Sequence, residues 1–409
     1  MAVLSTGGGR TRSRPSDAAV LIIAGGRGTR FWPESRIHHP KPLFSIDGKT
    51  SLLAATVTRM QPLIPRERVF VLASADQAPL FGRVLKKLIP PRNLIVEPEG
   101  RGTAVAIAFG AGVIAKRISE DAVLAVMPAD HYVTPTFAFQ ESLHDAIALA
   151  ETYGTIVVIG IKPTRPESGY GYLKVGSPVE IPLTNHDTAR VRPLQITGPG
   201  MSRVGGELGK HYDSTKAGGR SRRAAVGFKL DRFVEKPSAA AAVKMIRSGK
   251  YLWNAGMFVM TAQKLSAELA REAPSLAEAM HSFPTIKPAQ LEHCYRKLNF
   301  DSFDRVVAEK ARNLLGLRAG FKWHDVGSWE GLWEASRGKG RNVLMGNVLE
   351  IGTDGVLART RDRLMVLMGV KDIVAIETHD VILIANRQQS QNVRKVIDEL
   401  QRRGLDRYL

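Results

Sequence analysis

The residues whose types suggest chemistry most clearly lie in the stretch VLIIAGGRGTRFWPESRIHHPKPL, residues 20–43. Its aliphatic start predicts a buried strand, which opens into three glycines followed by Arg30 and Lys41. Glycines let backbone N–H groups approach an anion closely, and the two cations would offset its charge. The pattern therefore predicts a nucleotide-binding loop. The predicted contact residues are Ala24, Gly25, Gly26, Gly28, Thr29 and Arg30.

This loop differs from the two commonest nucleotide-binding motifs. Phe31 stands where the dinucleotide fingerprint requires its third glycine. The triplet at residues 48–50, Gly-Lys-Thr, resembles the end of a Walker A loop, but Leu43 stands where that loop requires its first glycine. We therefore predict that residues 48–50 form a β-turn.

Two aspartates far apart in the sequence are candidate metal ligands. Asp130 follows an apolar run that predicts a strand, and Asp325 lies in a predicted turn flanked by aromatic residues. Nucleotidyl transfer depends mainly on positioning phosphates and neutralising their charge, which carboxylates that hold Mg²⁺ assist. The two aspartates could share one Mg²⁺ ion, although their positions also fit aspartates that cap turns.

Two histidines adjoin these aspartates and raise the alternative of a zinc or His–Asp catalytic site. Adjacent side chains of a strand point to opposite faces, so His131 and His324 would point away from their neighbouring aspartates. The sequence contains no third ligand at zinc spacing. We therefore predict that both are polar histidines in turns.

Three further segments carry groups that suit a phosphate or a sugar. Lys236 precedes Pro237 at a predicted strand end, where it could present a fixed charge to a phosphate or be an exposed surface lysine. The glycine–aromatic turn at residues 167–172 could lie against a sugar or form a simple hairpin. Asn254, in a predicted broken turn at residues 253–256, offers the amide donor and acceptor that sugar hydroxyls require.

Alternating strands and helices must position these residues. The predicted strands are Val20–Ile23, Val69–Leu72, Leu94–Val96, Val123–Val126 and Thr155–Ile159, and the predicted helices are Ser51–Met60, Ala104–Ile118 and Ala138–Ala150. This alternation predicts an α/β fold, a Rossmann-like, mostly parallel sheet covered on both faces. Ligands of such sheets bind beyond the carboxyl ends of the strands, where the candidate residues fall.

The pattern of predicted secondary structure changes near residue 340. Short β-rich runs follow, and a terminal segment places Val393, Val396, Ile397 and Leu400 on one helical face. We predict a tail at residues 1–17, a catalytic domain at 18–340 and a small β-rich, β-helix-like domain at 341–409 that ends in a helix. Residues 186–228, rich in Gly, Ser and Arg, are predicted to form a basic, flexible insertion.

Composition excludes several classes of protein. The 409 residues contain one cysteine, so an intrachain disulfide framework and a cysteine metal cluster are excluded. No apolar run or leader segment suits a membrane helix or a signal peptide, which predicts a cytoplasmic protein without a membrane partner. The net charge of +19 raises the question of nucleic acid. The basic insertion lacks the interleaved aromatics of a stacking surface, so we expect no nucleic-acid partner, although the insertion leaves polyanion binding open.

The order of the motifs resembles the sugar-1-phosphate nucleotidyltransferases, and most closely the mannose-1-phosphate guanylyltransferases. The resemblance covers residues 20 to about 335 and continues more weakly to the terminal helix. It is carried by GGRGTRFWPESR, PKPL, EPEGRGTAVAIA, PADH, ESGYGY, FVEKP, WNAGMFVM, FDRVVAEK and WHDVGSW.

The resemblance implies a nucleotidyltransferase (GT-A-like) fold and assigns roles to the matching residues. Arg30 and Lys41 would handle the phosphates of the nucleotide, Asp130 and Asp325 would hold Mg²⁺, and Lys236 would act in catalysis with them. Glu97 and Arg101 would lie near the base and ribose. The residues that would receive the sugar phosphate are Gly169, Tyr170, Glu235, Lys236 and Asn254.

The implied reaction is transfer of a guanylyl group from GTP to α-D-mannose 1-phosphate by direct in-line attack, which gives GDP-mannose and pyrophosphate. A homodimer is also expected. Gly102 departs from the family, in which asparagine is common at this position near the base. Two alternatives stay open: another pair of NTP and sugar 1-phosphate, such as glucose or a heptose, and a catalytically silent relative that binds a sugar nucleotide and regulates a partner.

Overall fold

The structure, a computed structural model, describes residues 18–25, 29–36, 38–180, 226–338 and 340–409. The predicted tail at residues 1–17, most of the predicted basic insertion, Gly26 and Gly28 lie outside the described residues. Eleven strands precede residue 325 in this part of the chain: β1 (Ala19–Ile23), β2 (Val69–Ser74), β3 (Leu94–Glu97), β4 (Val123–Pro128), β5 (Tyr132–Thr134), β6 (Val157–Ile161), β7 (Tyr172–Glu180), β8 (Val226–Val234), β9 (Tyr251–Thr261), β10 (Leu315–Arg318) and β11 (Lys322–His324).

Nine of these strands form the central sheet, in the order β3-β2-β1-β4-β9-β6-β10-β8-β7. The pairs β2–β3, β1–β2, β1–β4 and β6–β10 are parallel. Strand β9 is antiparallel to β4, β6 and β7, and β8 is antiparallel to β7 and β10. The predicted α/β class is confirmed, and β9, β8 and β7 add antiparallel pairs to the parallel part of the sheet.

Helices cover both faces of the sheet, as predicted. Before residue 340 they are α1 (Leu52–Arg59), α2 (Ala78–Leu85), α3 (Thr103–Arg117), α4 (Thr136–Tyr153), α5 (Ala239–Arg247), α6 (Ala262–Glu272), α7 (Pro274–Ser282), α8 (Pro288–Lys297) and α9 (Trp329–Ser336). Successive residues of β1 face opposite sides, so Val20 and Ile22 pack with α1, α2 and α4, whereas Ala19 and Leu21 pack with α3, α6 and α7.

Two local predictions were wrong. The predicted broken turn at residues 253–256 lies inside β9, because Trp253 and Asn254 pair with Ile161 and Gly160 of β6 and their side chains are buried. Residues 226–228, predicted as the end of the basic insertion, form the start of β8. Phe228 is buried there and pairs with Pro178 of β7, and a buried aromatic side chain favours the sheet over an exposed loop.

The C-terminal part is β-rich, as predicted. It contains β12 (Val343–Met345), β13 (Val348–Ile351), β14 (Leu357–Arg359), β15 (Met365–Met368), β16 (Ile373–Glu377), β17 (Ile382–Asn386) and the helix α10 (Val393–Arg402). One sheet has the order β12-β14-β16-β17, and β13 pairs with β15 in a second sheet. This part shares a hydrophobic core with Phe31, Phe44 and Trp329, so it packs against the loop that follows β1.

Among the described residues, no helix combines the length and the apolar character that crossing a membrane requires.

Candidate active site

A short ribbon brings the two candidate aspartates together. Strand β11 pairs antiparallel with β5, and His324 lies opposite Tyr132. Asp130 precedes β5 by two residues and Asp325 follows β11 directly, so both aspartates lie at the same end of the ribbon. This end adjoins the carboxyl end of β4, which is where ligands of parallel sheets bind.

Lys41 connects the two aspartates. Its Nζ atom donates to Asp130 Oδ2 over 2.7 Å and to the main-chain oxygen of Asp325 over 2.7 Å. The Lys41 side chain is 11% exposed, so the ammonium depends on these oxygens rather than on water. Burial favours the neutral form of Asp130, but the charges of Lys41 and His131 and the Lys41 hydrogen bond together outweigh it and hold the pKa of that carboxyl below its ordinary value. Asp130 therefore stays ionised at this end of the ribbon.

The carboxylate of Asp325 is held by Tyr170. The phenol OH donates to Asp325 Oδ1 over 2.6 Å. Burial, followed by the charge of Asp325, raises the pKa of Tyr170, so the phenol keeps its proton and remains a donor. The turn after Asp325 is unusual because Val326 has a φ of +45°, which β-branched residues rarely adopt. Its N–H donates to His324 Nδ1 over 2.9 Å, which stabilises this conformation.

Both histidines have structural partners. His131 Nδ1 accepts a hydrogen bond of 3.1 Å from Trp323 Nε1, and burial lowers the pKa of His131 to about 4 despite the nearby Asp130. His324 accepts from the Val326 N–H as described above. Within the described ranges, no group of three or more His, Cys, Asp or Glu residues is arranged to hold a metal. His324 ends β11 rather than lying in a turn, and its Nδ1 atom lies 3.5 Å from Asp325 Oδ1, so the prediction that it points away from this aspartate was wrong.

A divalent cation that is shared with a ligand needs fewer protein donors. Mg²⁺ is commonly held by one or two carboxylates together with substrate phosphates and water. Asp130 and Asp325 supply two carboxylates at one end of the ribbon, and Lys41 contacts both residues. The chemistry of this donor set fits a hard cation such as Mg²⁺, with Lys41 as the cation that offsets the Asp130 charge in this structure.

The predicted nucleotide loop follows β1, at the same edge of the sheet. Ala24 is buried, and its N–H donates to Leu72 O over 2.8 Å, so this N–H is not available to a phosphate. Gly25 is exposed, and Thr29 and Arg30 lie in a 3₁₀ turn. Arg30 is exposed and has no ion-pair partner among the residues that the structure describes. The segment predicted as a β-turn, residues 48–50, forms a bend in which Asp47 Oδ1 accepts from the N–H groups of Lys49 and Thr50.

Glu97 ends β3 and is almost fully buried, with 3% exposure. Tyr295 of α8 donates a short hydrogen bond of 2.5 Å to Glu97 Oε2. Burial raises the pKa of Glu97 to about 7, although the Tyr295 hydrogen bond opposes the change.

Arg101 is partly exposed and contacts Glu99 over 2.8 Å. Gly102 has a φ of +88° and a ψ of 162°, a conformation that is essentially restricted to glycine.

The predicted sugar-phosphate residues lie around the start of β7. Asn254 N donates to Gly171 O over 2.8 Å, and Val234 pairs with Tyr172, so Asn254 and Glu235 lie beside the glycine–aromatic turn. A Cβ atom at Gly171 would lie 2.7 Å from Glu235 Oε2, so this glycine admits the carboxylate. The Gly169 N–H donates to Glu167 Oε1 within the glycine–aromatic turn.

The side chains of Lys236 and Asn254 contact acidic residues. Lys236 Nζ lies 3.3 Å from Glu235 Oε1, and its φ of +46° is strained for a residue with a side chain. Asn254 Nδ2 donates to Asp304 Oδ1 over 2.7 Å, while its Oδ1 atom accepts from the Gly256 N–H. Burial raises the pKa of both Glu235 and Asp304.

Sequence reasoning missed two residues that contact candidate site residues, Asp304 beside Asn254 and Tyr295 beside Glu97. Asp304 lies in the FDRVVAEK motif and begins a π-helical turn, a feature that often marks functional sites. The motif was a signal for Asp304, whereas nothing in the local sequence indicated that Tyr295 would contact Glu97, which is 198 residues away.

The chain is similar to known proteins over nearly its whole length. The family model described as nucleotidyl transferase matches residues 19–192 and 217–341, and the model described as MannoseP isomerase/GMP-like beta-helix domain matches residues 346–400. The chain is 32% identical over 401 residues to a mannose-1-phosphate guanylyltransferase of Escherichia coli, covering 95% of this chain and 75% of the relative. It is 31% identical over 399 residues to the xanthan biosynthesis protein XanB of Xanthomonas campestris, covering 95% and 74%.

A solved structure extends the similarity to three dimensions. The crystal structure of a mannose-1-phosphate geranyltransferase from Thermus thermophilus superposes with a TM-score of 0.74 at 30% identity, covering 94% of this chain and 99% of that one. The resemblance to the mannose-1-phosphate guanylyltransferase branch that the motifs indicate is thus confirmed, and the chain belongs to the nucleotidyl transferase family.

Proposed function

We propose that the chain transfers a guanylyl group from GTP to α-D-mannose 1-phosphate, which yields GDP-mannose and pyrophosphate. The observation that carries the proposal is that Lys41 contacts both Asp130 and Asp325 beside the carboxyl end of β4, which pairs in parallel with β1. The names of the similar enzymes support this pair of substrates. The family membership supports nucleotidyl transfer more generally.

Charge neutralisation is the main task of the site. A phosphate oxygen of the sugar phosphate attacks the α-phosphorus, a new P–O bond forms, and pyrophosphate leaves with the electrons of the broken bond. A phosphate is already ionised at neutral pH, so this attack requires no general base. We propose that Arg30 and Lys41 offset the charge of the triphosphate and that Lys236 offsets that of the sugar phosphate.

Two of these cations have exposed side chains. Arg30 is exposed beside the loop, and the Lys236 side chain is 54% exposed, so both can reach a ligand. Asn254, Glu235 and Gly169 would contact the sugar hydroxyls, because together they offer amide and carboxylate groups near the start of β7. Glu97 and Arg101 would contact the base and ribose.

We propose that Asp130 and Asp325 hold Mg²⁺. When bound, the ion would offset negative charge on the phosphates as a Lewis acid. The protein supplies ionised Asp130, whose pKa Lys41 lowers, and Asp325, whose carboxylate Tyr170 orients.

A substrate panel tests the proposal. The purified protein is incubated with each of the four NTPs and with the 1-phosphates of mannose, glucose and a heptose, and released pyrophosphate is measured. We expect GTP and mannose 1-phosphate to give the highest kcat/KM. A higher value for another pair would replace the proposed substrates, and no turnover with any pair would favour the silent regulatory relative.

We also propose a homodimer formed by the C-terminal strands. The register pairs Leu349 with Val366 and Ile351 with Met368, and these four apolar side chains are 48–72% exposed. Leu364, Ile382 and Ile384 are exposed as well. A half-exposed side chain of this kind leaves on the order of 50 Å² of apolar surface in water, so the seven side chains account for less than half of the roughly 800 Å² that each partner buries in a stable dimer.

The oligomeric state tests this part of the proposal. Light scattering after gel filtration should give twice the monomer mass, and Met368→Glu together with Val366→Asp should give a folded monomer. A wild-type monomer at micromolar concentration would contradict the homodimer.

A further inference from the structure

The carboxylate of Asp325 is engaged on one side only. Tyr170 OH donates to Oδ1 over 2.6 Å, and no described residue donates to Oδ2. We infer that Tyr170 is a positioning residue for Asp325, which holds Oδ1 so that Oδ2 is presented to a divalent cation. The inference rests on the proposed metal role of Asp325 and goes beyond it, because Tyr170 was expected to contact the sugar.

The phenol is itself held in place. The Tyr170 ring makes edge contacts with Trp253 at 5.2 Å and with Trp323 at 5.4 Å between ring centroids. Both tryptophans belong to strands, β9 and β11, so the ring is fixed against regular elements. A donor fixed in this way selects one orientation of the acceptor carboxylate, which is how outer residues orient metal ligands.

Gly327 leaves the other oxygen uncovered. A Cβ atom at this position would lie 2.7 Å from Asp325 Oδ2, closer than side-chain atoms normally approach. The φ of Gly327 lies outside the left-handed region, so the backbone does not require glycine there. The space beside Oδ2 is therefore the structural consequence of glycine at this position.

The main chain of Asp325 is fixed as well. Lys41 Nζ donates to its carbonyl oxygen, and the next peptide N–H donates to His324 Nδ1. The carboxylate can then turn only about its side-chain bonds, and Tyr170 restricts that rotation. These three contacts together leave one oxygen, Oδ2, without a hydrogen bond from any described residue.

Tyr170→Phe tests the role of the phenol, because it removes the OH and keeps the ring. Mn²⁺ binding is measured by electron paramagnetic resonance with the full chain, with GTP and without sugar phosphate. Outer residues of this type change metal affinity by about 10- to 100-fold, so we expect Mn²⁺ to bind at least roughly tenfold more weakly. The matched control is Tyr172→Phe, since the Tyr172 OH contacts Glu167 and not Asp325.

Steady-state kinetics separate the two roles of Tyr170. Positioning predicts a higher metal requirement with an unchanged KM for the sugar phosphate. A raised sugar-phosphate KM with unchanged Mn²⁺ affinity would overturn the inference and support a sugar contact. The wild-type protein could bind Mn²⁺ and yet transfer to no sugar phosphate. If Tyr170→Phe then still weakens Mn²⁺ binding, the proposed function is overturned and the inference about Tyr170 is retained.

Gly327→Ala provides the second test. The methyl group should hinder Oδ2 and weaken Mn²⁺ binding, whereas Gly340→Ala should not, because the nearest atom to a Cβ atom there lies at 3.7 Å. Thermal unfolding of each variant checks that the fold is retained. Unchanged Mn²⁺ affinity in Tyr170→Phe would overturn the inference, whatever the effect of Gly327→Ala.

Discussion

The ammonium of Lys41 lies 2.7 Å from the carboxylate of Asp130, across 89 positions of sequence. The same ammonium donates to the main chain of Asp325, so one cation connects the two aspartates that we propose as metal ligands. Because the Lys41 side chain is 11% exposed, this contact is weakly screened by solvent. The charge state of Asp130 should therefore depend on Lys41.

Lys41→Met should change both turnover and pH dependence. Loss of one charge-stabilising donor typically costs roughly 10²–10³-fold in kcat. In the wild type the lowered pKa of Asp130 contributes stability above the ordinary value of 3.8, and this contribution is lost as pH falls through the lower folded-state pKa. Without Lys41, burial is the largest remaining influence on the pKa of Asp130 and raises it, so the variant should lack this contribution and its stability should fall less steeply at acid pH.

Urea unfolding at pH values between 3 and 7 measures this difference in the pH dependence of the free energy of unfolding. Lys49→Met is the control, because Lys49 lies exposed in the bend at residues 48–50 and has no ion-pair partner in the described part of the chain. If the free energy of unfolding depends on acid pH in the same way for the wild type and for Lys41→Met, the proposed effect of Lys41 on the charge state of Asp130 is contradicted.

Glu97→Gln should stabilise the protein in alkaline solution. Burial raises the pKa of Glu97 from 4.5 to about 7, so the native state binds more protons than the unfolded state between these values and stability falls as pH rises through them. Glutamine keeps the acceptor for Tyr295 and removes the charge. We expect a gain of roughly 2–3 kcal/mol at pH 8 and little difference at pH 5.

The measurement is the free energy of unfolding at both pH values. Glu99→Gln serves as the control, because Glu99 is 40% exposed and its change should be small at either pH. An equal effect of Glu97→Gln at pH 5 and pH 8 would exclude a buried, titrating carboxyl.

Arg359→Met should weaken the contact between the C-terminal strands and the loop after β1. Arg359 Nε lies 2.5 Å from Glu34 Oε1, and both side chains are 15% exposed. Its guanidinium also lies 5.0 Å from the Phe44 ring centroid. Removing one partner of a buried ion pair typically costs about 3–5 kcal/mol, because the other charge stays buried.

A double-mutant cycle checks this prediction. Glu34→Gln added to Arg359→Met should restore much of the lost stability, since no unpaired carboxylate remains. Additive losses in the double variant would show that the pair does not couple the two segments.

Gly112→Ala and Gly82→Ala should have opposite effects on stability. A Cβ atom at Gly112 in α3 would lie 2.2 Å from the carbonyl oxygen of Met280 in α7, so the helices must separate, at a cost of about 1–3 kcal/mol. At Gly82 in α2 the nearest atom lies at 3.7 Å, so alanine should gain about 0.5–1 kcal/mol from its helix propensity. Chemical denaturation measures both, and a neutral Gly112→Ala would contradict the close helix contact.

Local patterns in the sequence were sufficient for much of the fold. The strand at Val20–Ile23 and the helix at Ala104–Ile118 are confirmed within one residue at each end, because hydrophobic periodicity and glycine turns report the local path of the backbone. The prediction of a turn at residues 253–256 was wrong because a local pattern does not report pairing with distant strands. Its Asn and Gly are turn-forming residues, but pairing with β6 on one side and β7 on the other outweighed that preference.

The site depended on pairings that no local pattern reports. Strands β5 and β11 have three residues each, too short for a periodic signal, yet their pairing places Asp130 and Asp325 at one end of a ribbon. The residue types already indicated phosphate chemistry, since glycines, cations and aspartates are what such ligands require. Which oxygen of Asp325 receives the Tyr170 hydrogen bond was decided only by tertiary structure, because the two residues are 155 positions apart and meet through packing around the sheet.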